Sequence, residues 1–314
     1  MVARSQRSGL ARREARLGVA LILPAVLVVG GLVLFPLLWN VALSIQPARL
    51  LNIREVGLFG FMPTLRNYRV VVSDLEFWAV FRTTFVYTVA GTILSIVGGM
   101  WAALTLRRPF RGRGLVRGLT LFPYVVPVIA AAFVWKTMLN PTFGIVNEWI
   151  DVLGGRRVDF LGTLSHDVHV FGLTLSIPLA LVMVILFEGW RYFPFAFLFI
   201  LAALQALPQD VEEAAIVDGA TPSQRFWYIT LPQLRPVLSV LFLLRFIWTF
   251  NKFDDVYLLT GGGAGTEVIT VKIVDWLLGR GDVGAAAALG MILAAVLLVL
   301  MAVYFRWFYQ EEVA

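Results

Sequence analysis

The chain has 314 residues, of which 59% are apolar and 15% charged, and it carries a formal charge of +6 with no cysteine. Disulfides, thiolate metal sites and cysteine catalysis are therefore excluded. The apolar residues gather into runs of about 20 or more instead of amphipathic stripes, which requires a bilayer as solvent and leaves no room for a separate soluble domain.

Residues 1–16 form a basic tail with Arg4, Arg7, Arg12, Arg13 and Arg16. The apolar run behind it is longer than the roughly 7 to 15 residue core of a cleavable signal and has no clear A-x-A site, so it reads as a retained anchor. Six runs of spanning length follow, at 17–45, 80–106, 119–139, 173–204, 237–258 and 283–305, each above the roughly 20 helical residues needed to cross about 30 Å of hydrocarbon. Together they make an all-α polytopic membrane domain over 17–306, with a short tail at 307–314. Arg107, Arg108, Arg111, Arg113 and Arg117 crowd the loop after the second run. The positive-inside rule puts that loop and the basic tail in the cytoplasm, and six crossings then place both termini inside. Arg49, Arg54, Arg66 and Arg69 are spread over the longer outer segment 46–77. Topology and anionic lipid account for the basic charge, so no nucleic-acid partner is expected.

Pro24 and Pro36 in the first run and Pro123 and Pro127 in the third are expected to kink their helices or open local cavities. Arg82, near the outer end of the second, reads as a snorkelling side chain. The outer segments 46–77 and 140–172 are expected to receive a solute-binding protein. The second of these holds His166, Asp167 and His169, which lack the further ligands a metal centre would want, so no metal is expected.

The fourth run contains Glu188, Arg191 and the helix breaker Pro194. Glu188 and Arg191, three residues apart, can pair on one helix face, and Arg245 of the fifth run reaches a similar depth. Further along lie Trp248, Asn251 or Lys252, and Asp255 at helical spacing, with Asp254 and Tyr257 nearby. Ionisable groups at bilayer depth point to function. Two readings stand for Glu188, Arg191 and Arg245: a hydrated solute path, or a salt-bridge lock between spans. For Trp248, Asn251, Asp254 and Tyr257 the path is preferred, because polar groups with aromatic rings suit a hydroxyl-rich solute.

Between the fourth and fifth runs, residues 208–236 form a polar insertion. Asp210 followed by Glu213 reads as an acidic capping box that starts a helix at Val211, and Gly219 suits a left-handed terminus. Thr221, Pro222 and Gln224 signal a second helix carrying Phe226, Trp227 and Ile229, which Pro232 and Pro236 are expected to break from the fifth run. Two capped mini-helices form a rigid knob too small to be stable alone, with Ala214 and Ala215 as a flat face for close approach. The plainer alternative is an ordinary linker at the lipid surface.

Lys136, Lys252 and Lys272 are the only lysines and none follows a glycine, so the phosphate-binding loop of an ATPase is absent. Gly261, Gly262 and Gly263 then read as a flexible outer turn. No serine-histidine-acid set or paired catalytic carboxylates recur at motif spacing.

The run Glu213, Ala214, Ala215, Asp218, Gly219, Ala220, Phe226, Ile229, Leu231, Pro232 and Pro236 resembles the E-A-A loop of permease subunits in binding-protein-dependent ABC importers. Leu204, Gln205, Leu207 and Pro208 before it, and 253–257 with 259–263 after it, are similar to the carbohydrate class, in particular the first of the two permeases in maltose and glycerol-3-phosphate systems. Ala264 stands where that family often has proline, and the large outer insertion of the enteric maltose subunit is missing. The resemblance implies a type I importer permease fold of six helices in a bacterial inner membrane. It implies a coupling helix in which Glu213 contacts an ATPase, Ala214 and Ala215 pack closely, and Gly219 makes the turn. It also implies a second permease, two ATPase subunits holding ATP and Mg2+, and an extracytoplasmic solute-binding protein, with no cofactor and no catalytic residue on this chain. The competing reading is an ion-coupled secondary transporter using Glu188 and Asp254, which would want an internal repeat that the chain does not show.

Overall fold

A computed structural model describes residues 2–54, 56, 63–170 and 173–308. In chain order the elements are α1 (Val2–Val29), a π-turn (Gly30–Leu34), α2 (Phe35–Ser44), a 3-10 turn (Leu50–Asn52), α3 (Arg66–Ser73), α4 (Leu75–Leu106), α5 (Arg113–Thr120), α6 (Phe122–Val125), α7 (Val128–Met138) and α8 (Ile145–Val152). A hairpin of β1 (His166–Val170) and β2 (Leu173–Ile177) follows, then α9 (Leu179–Ala206), α10 (Gln209–Val217), α11 (Pro222–Arg225) and a π-turn (Phe226–Thr230). The chain continues through α12 (Leu231–Phe250), α13 (Asp254–Thr260), α14 (Ile269–Val274), a π-turn (Asp275–Gly279) and α15 (Val283–Phe308).

Among the described residues, five helices are long and apolar enough to cross a membrane, and a sixth is formed by the bent pair Arg113–Val125 and Val128–Met138. The chain is therefore a multi-pass helical membrane protein, and its only sheet among the described residues is the small hairpin, in which Val168 pairs with Leu175.

Two expected spans take a different form, and a third is bent as its prolines lead one to expect. The third run, 119–139, is bent by 92° between α6 and α7. Its cause is local: Val126 precedes Pro127 and takes an extended conformation, as sterics demand of a residue before proline. The fourth run was expected from residue 173, but Leu173–Ile177 is a strand and α9 starts at Leu179, just after Pro178. The fifth helix ends at Phe250, and residues 254–258 belong to the separate α13.

Pro232 does not break the second short helix from the fifth span, because α11, the π-turn and α12 run on as one helix over Pro222–Phe250. In the widened turn the N–H of Leu231 reaches back to the carbonyl of Phe226, which relieves the crowding a proline ring would otherwise create one residue later. Pro36 likewise follows a π-turn, in which Phe35 bonds to Gly30. Pro236 stays inside α12 without ending it.

The chain divides into two compact units. One comprises Met1–Ser73 and Ile273–Leu293. Here Leu43, Ala48, Val283 and Ala287 form a small core, and the buried Asn67 donates to the carbonyls of Ser44 and Gln46 at 2.9 and 2.7 Å. The apolar side chains of the first span face outward, Leu21 and Leu32 among them, as lipid or a partner helix requires.

The other unit comprises Asp74–Lys272 and Ala294–Ala314, of which 309–314 lie outside the described residues. Its framework is the long pairing of α4 with α9. A Cβ on Gly99 would lie 2.6 Å from the Cβ of Ala196, and one on Gly189 would lie 2.4 Å from Leu94. Glycine lets these helices approach closely, which is how helices associate where lipid removes the hydrophobic drive. Ala103, Phe197, Ile200, Leu234 and Leu241 close one end of this core, and Tyr87, Val184, Phe187, Val256 and Leu259 the other.

Candidate functional site

The polar insertion folds as two short helices around a glycine. The first, α10, starts at Gln209 instead of Val211: Leu207 and Pro208 are extended, so the helix begins directly after the proline and Asp210 sits in its first turn without capping it. At the other end Gly219 has φ +79°, its N–H donating to Ile216 and that of Ala220 to Ala215. That double bond satisfies the last carbonyls in the manner a left-handed glycine permits. Thr221 then caps α11, accepting from the Gln224 N–H at 3.3 Å while the Gln224 Oε1 accepts from the Thr221 N–H at 2.8 Å.

The E-A-A residues do not all face the same way. Glu213 and Ala214 are exposed, whereas Ala215 is buried within this chain and joins no flat outer face. The outward surface also carries Val211, Val217, Asp218, Trp227 and Tyr228, and Val217 is 87% exposed. Ala220, Phe226, Leu231 and Pro232 are half-buried at its base. Glu212, not singled out in the sequence, contacts Arg107 at the end of α4 and lies 3.6 Å from Arg225 of α11.

Inside the bundle, Glu188 pairs with Arg245 and not with Arg191. Its Oε1 accepts from Arg245 at 2.5 Å and from Thr249 at 2.9 Å, and its Oε2 from Tyr87 at 2.9 Å. Arg245 also donates to Ser95 at 3.4 Å. Glu188 and Arg245 have almost no accessible surface, so α4, α9 and α12 meet on a dry ion pair. Burying such a pair is tolerable when further hydrogen bonds support it, as those of Tyr87, Thr249 and Ser95 do here. Arg191, on the next turn, donates to the Pro123 carbonyl at 3.3 Å beside the α6–α7 bend. The Tyr192 ring lies 4.3 Å from the Arg245 guanidinium and 4.2 Å from the Lys252 ammonium, and Lys252 also donates to the Tyr192 hydroxyl.

The other expected path residues are on the surface of the chain. Trp248 is 46% and Tyr257 48% exposed, and Asn251 and Asp254 are open as well. The Trp248 ring lies tilted against Phe195 at 5.1 Å, and Phe195 against Tyr124 at 5.9 Å, giving an aromatic face across α6, α9 and α12. Asn251 donates to the Ile247 carbonyl at 2.8 Å.

Outside the spans, Gly261 (φ +64°) and Gly262 (φ +85°) form the turn that closes α13. Buried Lys272 donates to Glu76 at 3.0 Å and lies 3.6 Å from Glu267 and 3.7 Å from Asp74. Burial opposes its charge, but the bond to Glu76 and the carboxylates of Glu267 and Asp74 outweigh it and hold its pKa above the ordinary value. Among the described residues no group of three or more histidines or carboxylates is placed to hold a metal. His166 and His169 lie on β1, and their side chains are outside the described residues.

Six candidate spans and a polar, exposed helical knob describe a multi-pass membrane protein with one loop built as a compact protrusion. Residues 95–310 match the family model described as binding-protein-dependent transport system inner membrane component, and the chain belongs to that family of ABC importer permeases. It is 34% identical over 302 residues to the trehalose/maltose transport system permease protein MalF of Thermococcus litoralis, covering 95% of this chain and 96% of that one. It is 36% identical over 284 residues to the inner membrane ABC transporter permease protein YcjO of Escherichia coli, covering 90% of each. The sn-glycerol-3-phosphate transport system permease protein UgpA of Agrobacterium fabrum is 29% identical, with 80% and 82% covered. The fold is shared with a bacterial ABC transporter involved in the import of the acidic polysaccharide alginate, at a TM-score of 0.78 and 20% identity, covering 96% and 97%.

Proposed function

We propose that this chain is one of two permeases that carry a sugar or related polar solute inward, driven by ATP and Mg2+ held on two separate ATPase subunits. The knob of α10 and α11 is the part an ATPase grips, through Glu213, Asp218 and the exposed apolar residues around Val217. The observation that carries this reading is the pair of rigid caps, at Gly219 and Thr221, on an exposed surface too small to serve as a domain. Both termini and this knob lie in the cytoplasm, as the arginines of the tail and of the α4–α5 loop favour.

The solute path runs along Trp248, Asn251, Asp254 and Tyr257, where the aromatic face with Phe195 and Tyr124 suits the apolar side of a sugar ring and the open polar groups suit its hydroxyls. Carbohydrate cargo is supported by the trehalose/maltose and glycerol-3-phosphate systems of the relatives. An extracytoplasmic binding protein delivers the solute; the alginate transporter was solved with its periplasmic protein bound. Glu188 and Arg245, being dry and mutually paired, hold the helices together, and Arg191 braces the α6–α7 bend.

Uptake of labelled maltose, trehalose and glycerol 3-phosphate into proteoliposomes of the complete complex tests this. Uptake requires enclosed ATP and survives an uncoupler. Uptake abolished by the uncoupler alone would instead indicate ion coupling.

A further inference from the structure

We propose that Glu212 is a positioning residue that transmits movement of α10 to the cytoplasmic end of α4, an inference that rests on the coupling role just given to the knob. One carboxylate oxygen of Glu212 touches the guanidinium of Arg107 and lies 3.6 Å from that of Arg225. Arg107 is the residue that ends α4, and Arg225 is the last of α11. Glu212 therefore joins three segments: the first turn of α10, the end of α11 and the end of the long helix whose other contacts include the Glu188 pair.

Among the described residues, the Arg107 contact is the one ion pair between α10 and the end of α4. Cavities of about 440 and 450 Å³ flank the carboxylate. Leu104, Pro222 and Phe226 line one, and Leu204, Pro208 and Ile216 the other. With open space on both sides, a displacement of α10 reaches α4 through the charge contact before it reaches it through packing. Arg117 fixes the receiving end, donating to the Leu106 carbonyl at 2.7 Å.

The energetics separate transmission from stability. The three side chains retain 17 to 35% of their surface, and ion pairs this open contribute little to folding. Replacing Glu212 should therefore leave the complex assembled yet weaken the mechanical link.

The test uses the complete complex in proteoliposomes, with solute uptake per ATP hydrolysed as the readout. Glu212→Arg is expected to lower that ratio by roughly two- to thirtyfold, the usual range for residues along a coupling route, while the ATPase subunits still co-purify. Adding Arg107→Glu restores an opposite-charge pair and should recover most of the loss. Glu212→Gln, which keeps the shape, should give a smaller loss in the same direction. An unchanged ratio in Glu212→Arg, or a loss that Arg107→Glu does not repair, overturns the proposal. Absence of ATP-driven uptake in the parent complex overturns the coupling reading, and this inference with it.

Discussion

Changing Glu188 to Gln removes one charge from the buried core with almost no change in shape. Arg245 has 1% of its side-chain surface exposed, so its guanidinium would lose its counter-ion with no water to replace it. Thr249 and Tyr87 donate to different carboxylate oxygens, each at 2.9 Å, so with glutamine's single oxygen one of them would face an NH2 group instead of an acceptor. Breaking a buried pair from one side costs about 3 to 5 kcal/mol, a shift of roughly two to four decades in the folded to unfolded ratio. Reversible unfolding in mixed micelles, followed by the fluorescence of the chain's 10 tryptophans, reads this directly. The double variant Glu188→Leu with Arg245→Met should recover most of the loss, because apolar replacements of a buried pair are often neutral. A Glu188→Gln chain within about 0.5 kcal/mol of the parent, the spread expected of an ordinary surface change, would refute the lock.

Gly219→Val forces a β-branched residue to φ +79°, a strain of order 1 to 3 kcal/mol, and should abolish uptake and co-purification of the ATPase while the chain still inserts. Gly99→Val places new atoms within 2.6 Å of Ala196 and the Phe197 backbone, and should lower stability by about 1 to 3 kcal/mol in the same micelle assay. Lys272 has a folded pKa above its ordinary 10.5, so its stabilising contribution is fully present below about pH 10.5 and is lost as pH rises through the higher folded value. Thermal midpoints from pH 7 to 11 should therefore show Lys272→Met destabilised by a constant amount up to about pH 10 and converging on the parent above it. Trp248→Ala removes one wall of the aromatic face, and is expected to reduce uptake by roughly two- to tenfold, in line with the 0.5 to 1.5 kcal/mol of a ring pair, without changing ATPase co-purification.

Local signals in the sequence foretold local structure. Gly219, Thr221, Pro222 and Gln224 act within a few residues of one another, and their caps stand where the pattern places them. The six apolar runs likewise announced the helices, because crossing a bilayer is a matter of length and composition. Geometry that depends on distant partners was not legible. Arg245 lies 57 residues from Glu188, whereas Arg191 lies three away and seemed the nearer mate. Arg107 lies 105 residues from Glu212, and nothing in the spacing joins them. Proline acts as expected in the third run but not at Pro232. Pro127, with the extended Val126 before it, turns the chain by 92°, while a π-turn absorbs Pro232 and the helix continues. The ten residues of the hairpin were split between a loop and the apolar start of α9, since alternation over five residues is a weak signal beside a long apolar run.

The coupling role requires a cytoplasmic ATPase to grip the exposed knob, and Val217 is the most open apolar residue of α10. The chain has no cysteine, so Val217→Cys gives a single reporter. Thiol-directed cross-linking in the assembled complex is expected to join this position to the ATPase subunit, with no reaction toward an impermeant reagent outside sealed right-side-out vesicles. A product with the solute-binding protein, or labelling from outside, would contradict it.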